Sequence, residues 1–444
     1  MDAKALAAAI IIIIIIAGAA AYVAMKGKGT TTTTSSQTTS GAQTSSTAGG
    51  TAGGKTATVK IGALLPLTGD LGSFGKSNEY AIEMAANDLN KYLAEHNAGF
   101  QVKIVVVDTE TNPTKALQQF DTLYSQGIRF FIGPMSSAEL SQIVSAIQQG
   151  KKAVVISQSS TAPSLAIKDT VFRFPPPDNL QGKVLAKLYK DDGKKYVIIA
   201  YRNDDWGKGL ANAISGYAKQ EGINVYKMIP YDPKAANFDN LVQSIATAVQ
   251  DLEKQGVPDS QIGVEIIGFD EVGSILKSAN SYDVLKKVQW YGSDGTALSQ
   301  SILQNPDAVA FAEAVNWKNT VTFSLTNKTK PVYCALEKKL GYPPDPYSLI
   351  AYDAVWVMGL AIQKAGGPKA TPDQVANAIW SVVQTYQGVT GKIVLNQYGD
   401  RKVSDYGIFV IKTVNGHPQW VLYEIYKYQT DSFQKVNGNP LQCS

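Results

Sequence analysis

Hydrophobic and polar positions divide this chain of 444 residues into three stretches. Residues 5–25 carry no charge and include seven consecutive isoleucines, and about 20 apolar residues are enough to span a bilayer as a helix. Residues 30–54 are only Thr, Ser, Gly, Ala and Gln, a composition that cannot bury a core. The sequence therefore predicts a signal or membrane anchor over 1–29, a linker over 30–56 and a globular part after it.

Short apolar runs alternate with helical spacing in the first part of the globular region. Strands are predicted over 59–65, 102–108, 129–132 and 153–157, and helices over 79–95, 114–126 and 138–148. Ser136 and Glu139 have the spacing of a capping box at the start of the third helix. Strands separated by helices of this length indicate βαβ units and a parallel sheet.

A segment with three consecutive prolines, residues 172–178, interrupts this alternation and indicates an extended connector. A second set of strands follows over 196–201, 223–228, 263–268 and 287–291, with helices between them. The end of the chain is mixed, with helices predicted over 348–364 and 372–382 and strands over 392–395, 407–411 and 420–425. Two parallel-sheet lobes joined by extended segments would place a ligand cleft between them.

Composition narrows the range of functions. Only 18% of the residues are charged and the formal net charge is +4, of which +3 lies in residues 1–55. A balance this even argues against nucleic-acid binding. Two histidines and two cysteines leave little material for a metal site or a catalytic triad. Cys334 and Cys443 form either one disulfide or two free thiols, and both alternatives are compatible with the sequence.

Five motifs, in order along the chain, resemble one family. They are IGALLPLTG at 61–69, FIGPMSS at 131–137, SSTAP at 159–163, YGSDG at 291–295 and YDAV at 352–355. Over residues 57–425 the chain is similar to type 1 periplasmic binding proteins, and among them to the branched-chain amino acid (Leu/Ile/Val) binding proteins of ABC importers. Residues 30–54 also resemble the Ser/Thr-rich stalks of archaeal surface proteins.

The resemblance implies an α/β fold of two Rossmann-like parallel-sheet lobes joined by a multi-strand hinge. The apolar run 5–25 adds one N-terminal transmembrane or signal helix before it. It implies a first lobe over 57–175 plus about 315–385, and a second lobe over 176–314 plus about 386–444. Hinge motion of the lobes would open and close the cleft between them.

The resemblance also implies where the charged groups of a ligand would lie. Ser137 and Thr161 match residues that bind a carboxylate, and Ser159 matches a position whose backbone carbonyl accepts a hydrogen bond from an amine. A helix that begins at Ser137 favours an anion, because its free N–H groups and its dipole face that end. Asp294 matches a glutamate that pairs with an α-ammonium group. The alternatives are that Ser137 only caps a helix and that Asp294 is an ordinary turn residue.

Four apolar residues are implied around the ligand side chain. Phe74, Trp206 and Phe269 match positions where the family has tyrosines, and Met135 matches an apolar position. The alternative is that these four residues are ordinary core side chains. The loss of the tyrosine hydroxyls indicates an apolar ligand side chain and a specificity different from the usual one of the family.

The sequence thus predicts a solute-binding protein on the extracellular face of the cell membrane or in a pseudoperiplasm. It would capture an amino acid, apolar or branched-chain, and deliver it to the permease and ATPase subunits of an ABC importer. The chain is not expected to be an enzyme, to bind nucleic acid, or to use a cofactor or a metal. The alternative is a surface receptor or regulatory protein for an amide, a urea-like compound or a small carboxylate.

Overall fold

The computed structural model of the protein describes residues 56–436 and 440–443. The predicted N-terminal helix within 1–29 lies outside these residues, and so does the predicted linker 30–56 except for its last residue. Among the helices described, none combines the length and the hydropathy that a membrane span requires.

The first sheet has five strands, numbered in chain order: β1 Ala57–Leu65, β2 Phe100–Asp108, β3 Phe130–Ile132, β4 Val154–Ser157 and β5 Val171–Arg173. All pairs are parallel, in the order β2-β1-β3-β4-β5. Ile61, Leu64 and Ile132 have no exposed surface, as expected for a parallel sheet covered by helices.

The second sheet continues the numbering with β6 Tyr196–Arg202, β7 Asn224–Tyr231, β8 Ile262–Ile267, β9 Gln289–Gly292, β10 Lys318–Thr322, β13 Tyr406–Val414, β14 His417–Lys427 and β15 Ser432–Lys435. Its order is β15-β14-β13-β10-β9-β8-β6-β7. The strands from β6 to β10 are parallel, and the last three add an antiparallel edge. A separate two-stranded ribbon consists of β11 Gln387–Gly388 and β12 Gly391–Lys392.

The helices of the described residues are numbered in the same way: α1 Gly72–Glu95, α2 Pro113–Ser125, α3 Ser137–Gln148, α4 Asp178–Asp191, α5 Asp205–Gln220, α6 Asp239–Lys254, α7 Val272–Ala279, α8 Asp283–Lys286, α9 Gln300–Leu303, α10 Pro306–Ala314, α11 Thr329–Leu340, α12 Pro346–Lys364 and α13 Pro372–Thr385. The first three and the last three pack around the first sheet, and the others belong to the second. The backbone of α12 lies so close to α1 that a Cβ at Gly359 would overlap the Leu89 side chain. The predicted α/β fold with two parallel-sheet lobes is confirmed by this topology.

The chain passes between the two sheets three times, after β5, after β10 and after α13. Arg173 at the end of β5 forms a buried ion pair with Asp400 on the third passage, with Nε–Oδ1 at 2.7 Å and Nη2–Oδ2 at 2.8 Å. β10 pairs with β9 and β13 and so belongs to the second sheet, although the range from about 315 was expected in the first lobe. The other proposed lobe boundaries stay a prediction.

Two local predictions need correction. α1 begins at Gly72, seven residues before the predicted start, because its glycines serve packing: a Cβ at Gly75 would overlap the carbonyl oxygen of Pro66. The strand predicted over 392–395 is wrong beyond its first residue. Leu395 forms one isolated bridge, to Arg401, because the backbone pairing here joins only residues 394–396 to 400–402, which is too short for a regular strand.

Cys334 in α11 and Cys443 form a disulfide. The bond joins the end of the chain, which follows the last strand of the second sheet, to a helix that packs on the first. Closure of a loop of about 100 residues stabilises a fold mainly by restricting the unfolded chain. Within the described residues, Cys334, Cys443 and Glu337 are the one cluster of three or more His, Cys, Asp or Glu side chains close enough to share a metal ion. Both sulfurs of this cluster are already bonded in the disulfide.

Candidate functional site

A cavity lies between the two sheets, at the carboxyl ends of their strands. Crevices at this end of parallel strands are where α/β proteins bind ligands. All eight residues that the sequence singled out line it: Phe74, Met135, Ser137, Ser159, Thr161, Trp206, Phe269 and Asp294. Five further residues complete the wall: Leu71, Ser136, Ser160, Gly295 and Tyr347. The predicted residues therefore share one cavity, although they come from loops and first helical turns of both lobes.

Hydrogen-bond donors form one part of the cavity wall, at the start of α3. Ser136 caps this helix and completes the predicted capping box with Glu139, which is thereby confirmed. Ser137 is therefore not needed as a cap. Its hydroxyl lies 2.9 Å from that of Ser160 and accepts a hydrogen bond from the N–H of Ala162 at 3.2 Å. The first N–H groups of a helix have no acceptor within the helix, so this part of the wall favours an anion.

The segment after β4 carries Ser159 and Thr161 and is held by its own hydrogen bonds. The hydroxyl of Ser157 donates to the carbonyl oxygen of Pro134 at 2.9 Å and accepts from the N–H of Ser160 at 3.1 Å. These bonds fix the backbone before any ligand arrives. A fixed backbone reduces the entropy lost on binding.

Asp294, in the loop after β9, is a buried acid on the wall of the cavity. Its Oδ2 accepts a hydrogen bond from the hydroxyl of Tyr347 at 2.5 Å, and its Oδ1 has no partner among the described residues. Burial raises the pKa of Asp294, and the Tyr347 hydroxyl offsets part of the rise. Tyr347 belongs to α12, so this bond crosses from one lobe to the other. A buried carboxyl with a free oxygen favours a cationic ligand group.

A second acid, Asp178, stands near Asp294 at the first residue of α4. Its N–H donates to the carbonyl oxygen of Thr161 at 3.0 Å, whereas its carboxyl oxygens have no hydrogen-bond partner of normal geometry in the part of the chain described. Burial, and next the negative charge of Asp294, raise the pKa of Asp178 well above its usual range. Two neighbouring carboxyls ionise together only when a cation compensates them.

Aromatic and apolar side chains form the rest of the wall. Trp206 stacks on Phe269 with 4.7 Å between the ring centroids, and Phe74 and Met135 are almost completely buried. Gly295 is required beside them, because a Cβ there would come within 2.7 Å of Trp206 and 2.8 Å of Phe269. This part of the cavity suits an apolar ligand side chain.

Sequence reasoning missed Asp178 and Tyr347. Both stand in the first turn of a helix that follows a proline-rich segment, which is a recognisable start signal. Because α/β proteins bind ligands at helix N-termini and strand carboxyl ends, this signal could have marked both residues as candidates.

A family model described as periplasmic binding protein matches residues 58–417. The chain belongs to the periplasmic binding protein family. Among its relatives, an uncharacterized protein of Methanocaldococcus jannaschii is 35% identical over 378 residues, which are 81% of this chain and 88% of the relative. A leucine-, isoleucine-, valine-, threonine- and alanine-binding protein of Pseudomonas aeruginosa is 26% identical over 359 residues, 79% of this chain and 89% of the relative.

A solved structure supports the fold of this periplasmic binding protein. The crystal structure of a leucine-binding protein from Thermotoga maritima superposes with a TM-score of 0.68 and 21% identity, and the match covers 84% of this chain and 99% of that one. The resemblance to type 1 periplasmic binding proteins of the branched-chain amino acid family is therefore confirmed. Because these relatives are binding proteins, the expectation that the chain is not an enzyme is confirmed as well.

Proposed function

We propose that this periplasmic binding protein captures an amino acid with an apolar or branched side chain and delivers it to an ABC importer. The observation that carries the proposal is that one side of the cavity favours an anion and another side favours a cation. Its wall combines the N-terminus of α3 and its serines with the buried carboxyl of Asp294, and the buried carboxyl of Asp178 lies near that of Asp294. The carboxylate and the ammonium group of one amino acid complement these two features at once.

Binding proceeds by closure of the two lobes. Ser137, Ser159 and Thr161 lie in the first lobe and bind the charged end of the amino acid first. Asp294 and Trp206 of the second lobe then close over it. The ligand shifts the equilibrium between open and closed forms only as far as it contacts both lobes.

The apolar wall limits the ligand to one without a charged side chain. Phe74, Met135 and Phe269 offer no group that could pair with a side-chain charge, and desolvating such a charge is costly. The Pseudomonas aeruginosa relative is named for the binding of leucine, isoleucine, valine, threonine and alanine, which supports the same ligand class.

Charge and cellular position agree with the capture of a zwitterion. Of the formal net charge of +4, residues 56–444 carry only +1, so the binding part has little net charge to steer an ion. The apolar residues 5–25 anchor the protein to the membrane or direct its export, and the Thr/Ser/Gly-rich linker lets the binding part reach the importer.

Replacement of Asp294 tests the ammonium site. In Asp294→Asn the side chain keeps its shape and loses its charge, so we expect amino-acid affinity to fall at least about 100-fold, as is usual when a buried charge loses its partner. Isothermal titration calorimetry measures the change. Asp205→Asn is the matched control, because Asp205 is an exposed acid next to Trp206 that does not line the cavity. If Asp294→Asn binds the amino acid as tightly as Asp205→Asn does, the assignment of Asp294 to the ammonium site is wrong.

A further inference from the structure

Polar groups at the mouth of the cleft meet across the two lobes without lining the cavity. On the first lobe they are Asp70, in the loop between β1 and α1, and Ser73 in the first turn of α1. On the second lobe they are Arg202, Lys234 and Asp270, at or just after the ends of β6, β7 and β8. Contacts among these five residues join the two lobes, and they do so outside the cavity that would hold the ligand.

Asp70 pairs with two cations of the other lobe. Its carboxyl oxygens lie 2.8 and 3.0 Å from Nζ of Lys234, and Oδ2 lies 3.5 Å from Nη2 of Arg202. Arg202 is almost completely buried and is fixed by Asp204 at 2.5 Å and Glu271 at 3.1 Å. Because Asp204 and Glu271 of the same lobe hold Arg202 in place, its guanidinium is positioned to pair with Asp70 when the lobes close.

Asp270 caps α1 from the opposite lobe. Leu71, at the N-cap position of α1, has no side-chain hydrogen bond to offer. Asp270 supplies one instead: its Oδ2 accepts from the N–H of Ser73 at 3.3 Å and its Oδ1 from the Ser73 hydroxyl at 2.8 Å. The hydroxyl of Ser299 donates to Oδ1 at 2.6 Å, and the N–H of Asp270 donates to the carbonyl oxygen of Asp70 at 3.1 Å. An N-terminal cap stabilises a helix, so α1 gains its cap only when the lobes are together.

The same segments carry part of the cavity wall. Leu71 and Phe74 flank Ser73 on the first lobe. On the second lobe Phe269 precedes Asp270, and the guanidinium carbon of Arg202 lies 3.8 Å from the centroid of the Phe269 ring. The apolar wall and the polar contacts at the mouth therefore form in the same movement.

We propose that Asp70 and Asp270 are positioning residues that latch the closed lobes and so set ligand affinity without touching the ligand. The proposal rests on the proposed function, since the latch affects binding only if the lobes close on a ligand. The apparent dissociation constant is the intrinsic one divided by the closed fraction. Loss of the latch lowers that fraction, so it weakens every ligand by one common factor and speeds release.

Asp70→Ala and Asp270→Ala test the latch, with L-leucine and L-valine as probes. We expect each variant to bind both amino acids at least about tenfold more weakly, by the same factor for both, with faster dissociation in stopped-flow measurements. The control is Glu221→Ala, which removes a carboxylate that pairs with Lys190 within the second lobe at 2.7 Å. It should bind like the wild type. Wild-type affinity in both latch variants, or a loss confined to one amino acid, overturns the proposal.

Two further measurements separate the latch from general stability and from the ligand assignment. The ligand-free variants should keep the far-UV circular dichroism spectrum and the cooperative unfolding transition of Glu221→Ala, so that weak binding is not loss of fold. Ser73→Ala combined with Asp270→Ala should cost no more affinity than Asp270→Ala alone, because both remove the same contact. Small-angle X-ray scattering of the ligand-free protein needs no ligand: the latch variants should have a larger radius of gyration than the wild type. Equal radii overturn the latch even if no amino acid binds, and absence of amino-acid binding by the wild type overturns only the proposed function.

Discussion

At the scale of single residues, the proposed ammonium site centres on Asp294, which lines the cavity, and on its neighbour Asp178. Burial raises the pKa of each carboxyl, and the Asp294 charge raises the pKa of Asp178 further. The ammonium group of a ligand lowers the pKa of both acids, because it stabilises their ionised forms. Capture of an amino acid is therefore expected to release protons from the protein.

This coupling predicts that affinity depends on pH. The ligand binds the ionised acids, and the raised pKa values make protons compete with it above the ordinary carboxyl range, so affinity should fall as the pH drops from about 8 to about 5. Calorimetry at several pH values, in buffers that differ in ionisation enthalpy, measures both the affinity and the protons released. A dissociation constant that stays the same over this range, with no proton release, would contradict the role of the two acids.

The residues in and around the cavity show which parts of the site the sequence predicts and which parts it does not. The eight predicted residues share one cavity because each stands where a strand passes into a helix, and those junctions meet between the lobes. Contact of each with a ligand stays a prediction. Asp178 and Tyr347 lay outside the prediction because the direction of a side chain in a first helical turn depends on tertiary packing, which the local sequence does not encode.

At the scale of elements, β8 carries an acid in the middle of the second sheet. Glu265 is completely buried, and its Oε2 accepts a hydrogen bond from the hydroxyl of Tyr189 at 2.6 Å, while Oε1 has no partner within the described residues. Burial raises the pKa of Glu265 to about 8, and the nearby Asp294 contributes to the rise. Near neutral pH the folded protein thus holds a proton here that the unfolded chain releases.

The buried proton on Glu265 makes the stability of the fold depend on pH. Because the folded protein binds the proton more tightly, Glu265 makes the free energy of unfolding fall as pH rises from about 4.5 to about 8, by up to about 1.4 kcal/mol per pH unit. Glu265→Gln mimics the protonated form and should remove this dependence. Denaturant unfolding of the ligand-free protein at several pH values measures it in both proteins. Identical pH profiles for the wild type and the variant would refute the assignment.

The elements also show why some boundaries escape sequence reasoning. The pattern of apolar residues predicted α1 from residue 79 onward, but the helix starts at Gly72 because Gly75 packs against Pro66 and Asp270 of the other lobe caps its first turn. Neither contact is local. The apolar residues 393–395 indicated a strand, yet the backbone hydrogen bonds between 394–396 and 400–402 pair too few residues for a regular strand.

At the scale of the whole molecule, the alternation of strands and helices was enough to predict two parallel-sheet lobes. The contacts between the lobes were not predictable, because they join residues far apart in sequence, such as Asp70 with Lys234 and Tyr347 with Asp294. The disulfide between Cys334 and Cys443 adds a covalent link that the sequence left open. These contacts join the two lobes on either side of the cavity.

Isothermal titration calorimetry with L-leucine and two analogues that share its side chain tests whether the cavity binds both charged groups of an amino acid. One analogue, 4-methylpentanoate, lacks the ammonium group, and the other, 3-methylbutylamine, lacks the carboxylate. We expect L-leucine to bind with a dissociation constant of about 1 µM or tighter, and each analogue at least about 100-fold more weakly. No detectable binding of L-leucine, or equal binding of 4-methylpentanoate, would contradict this expectation.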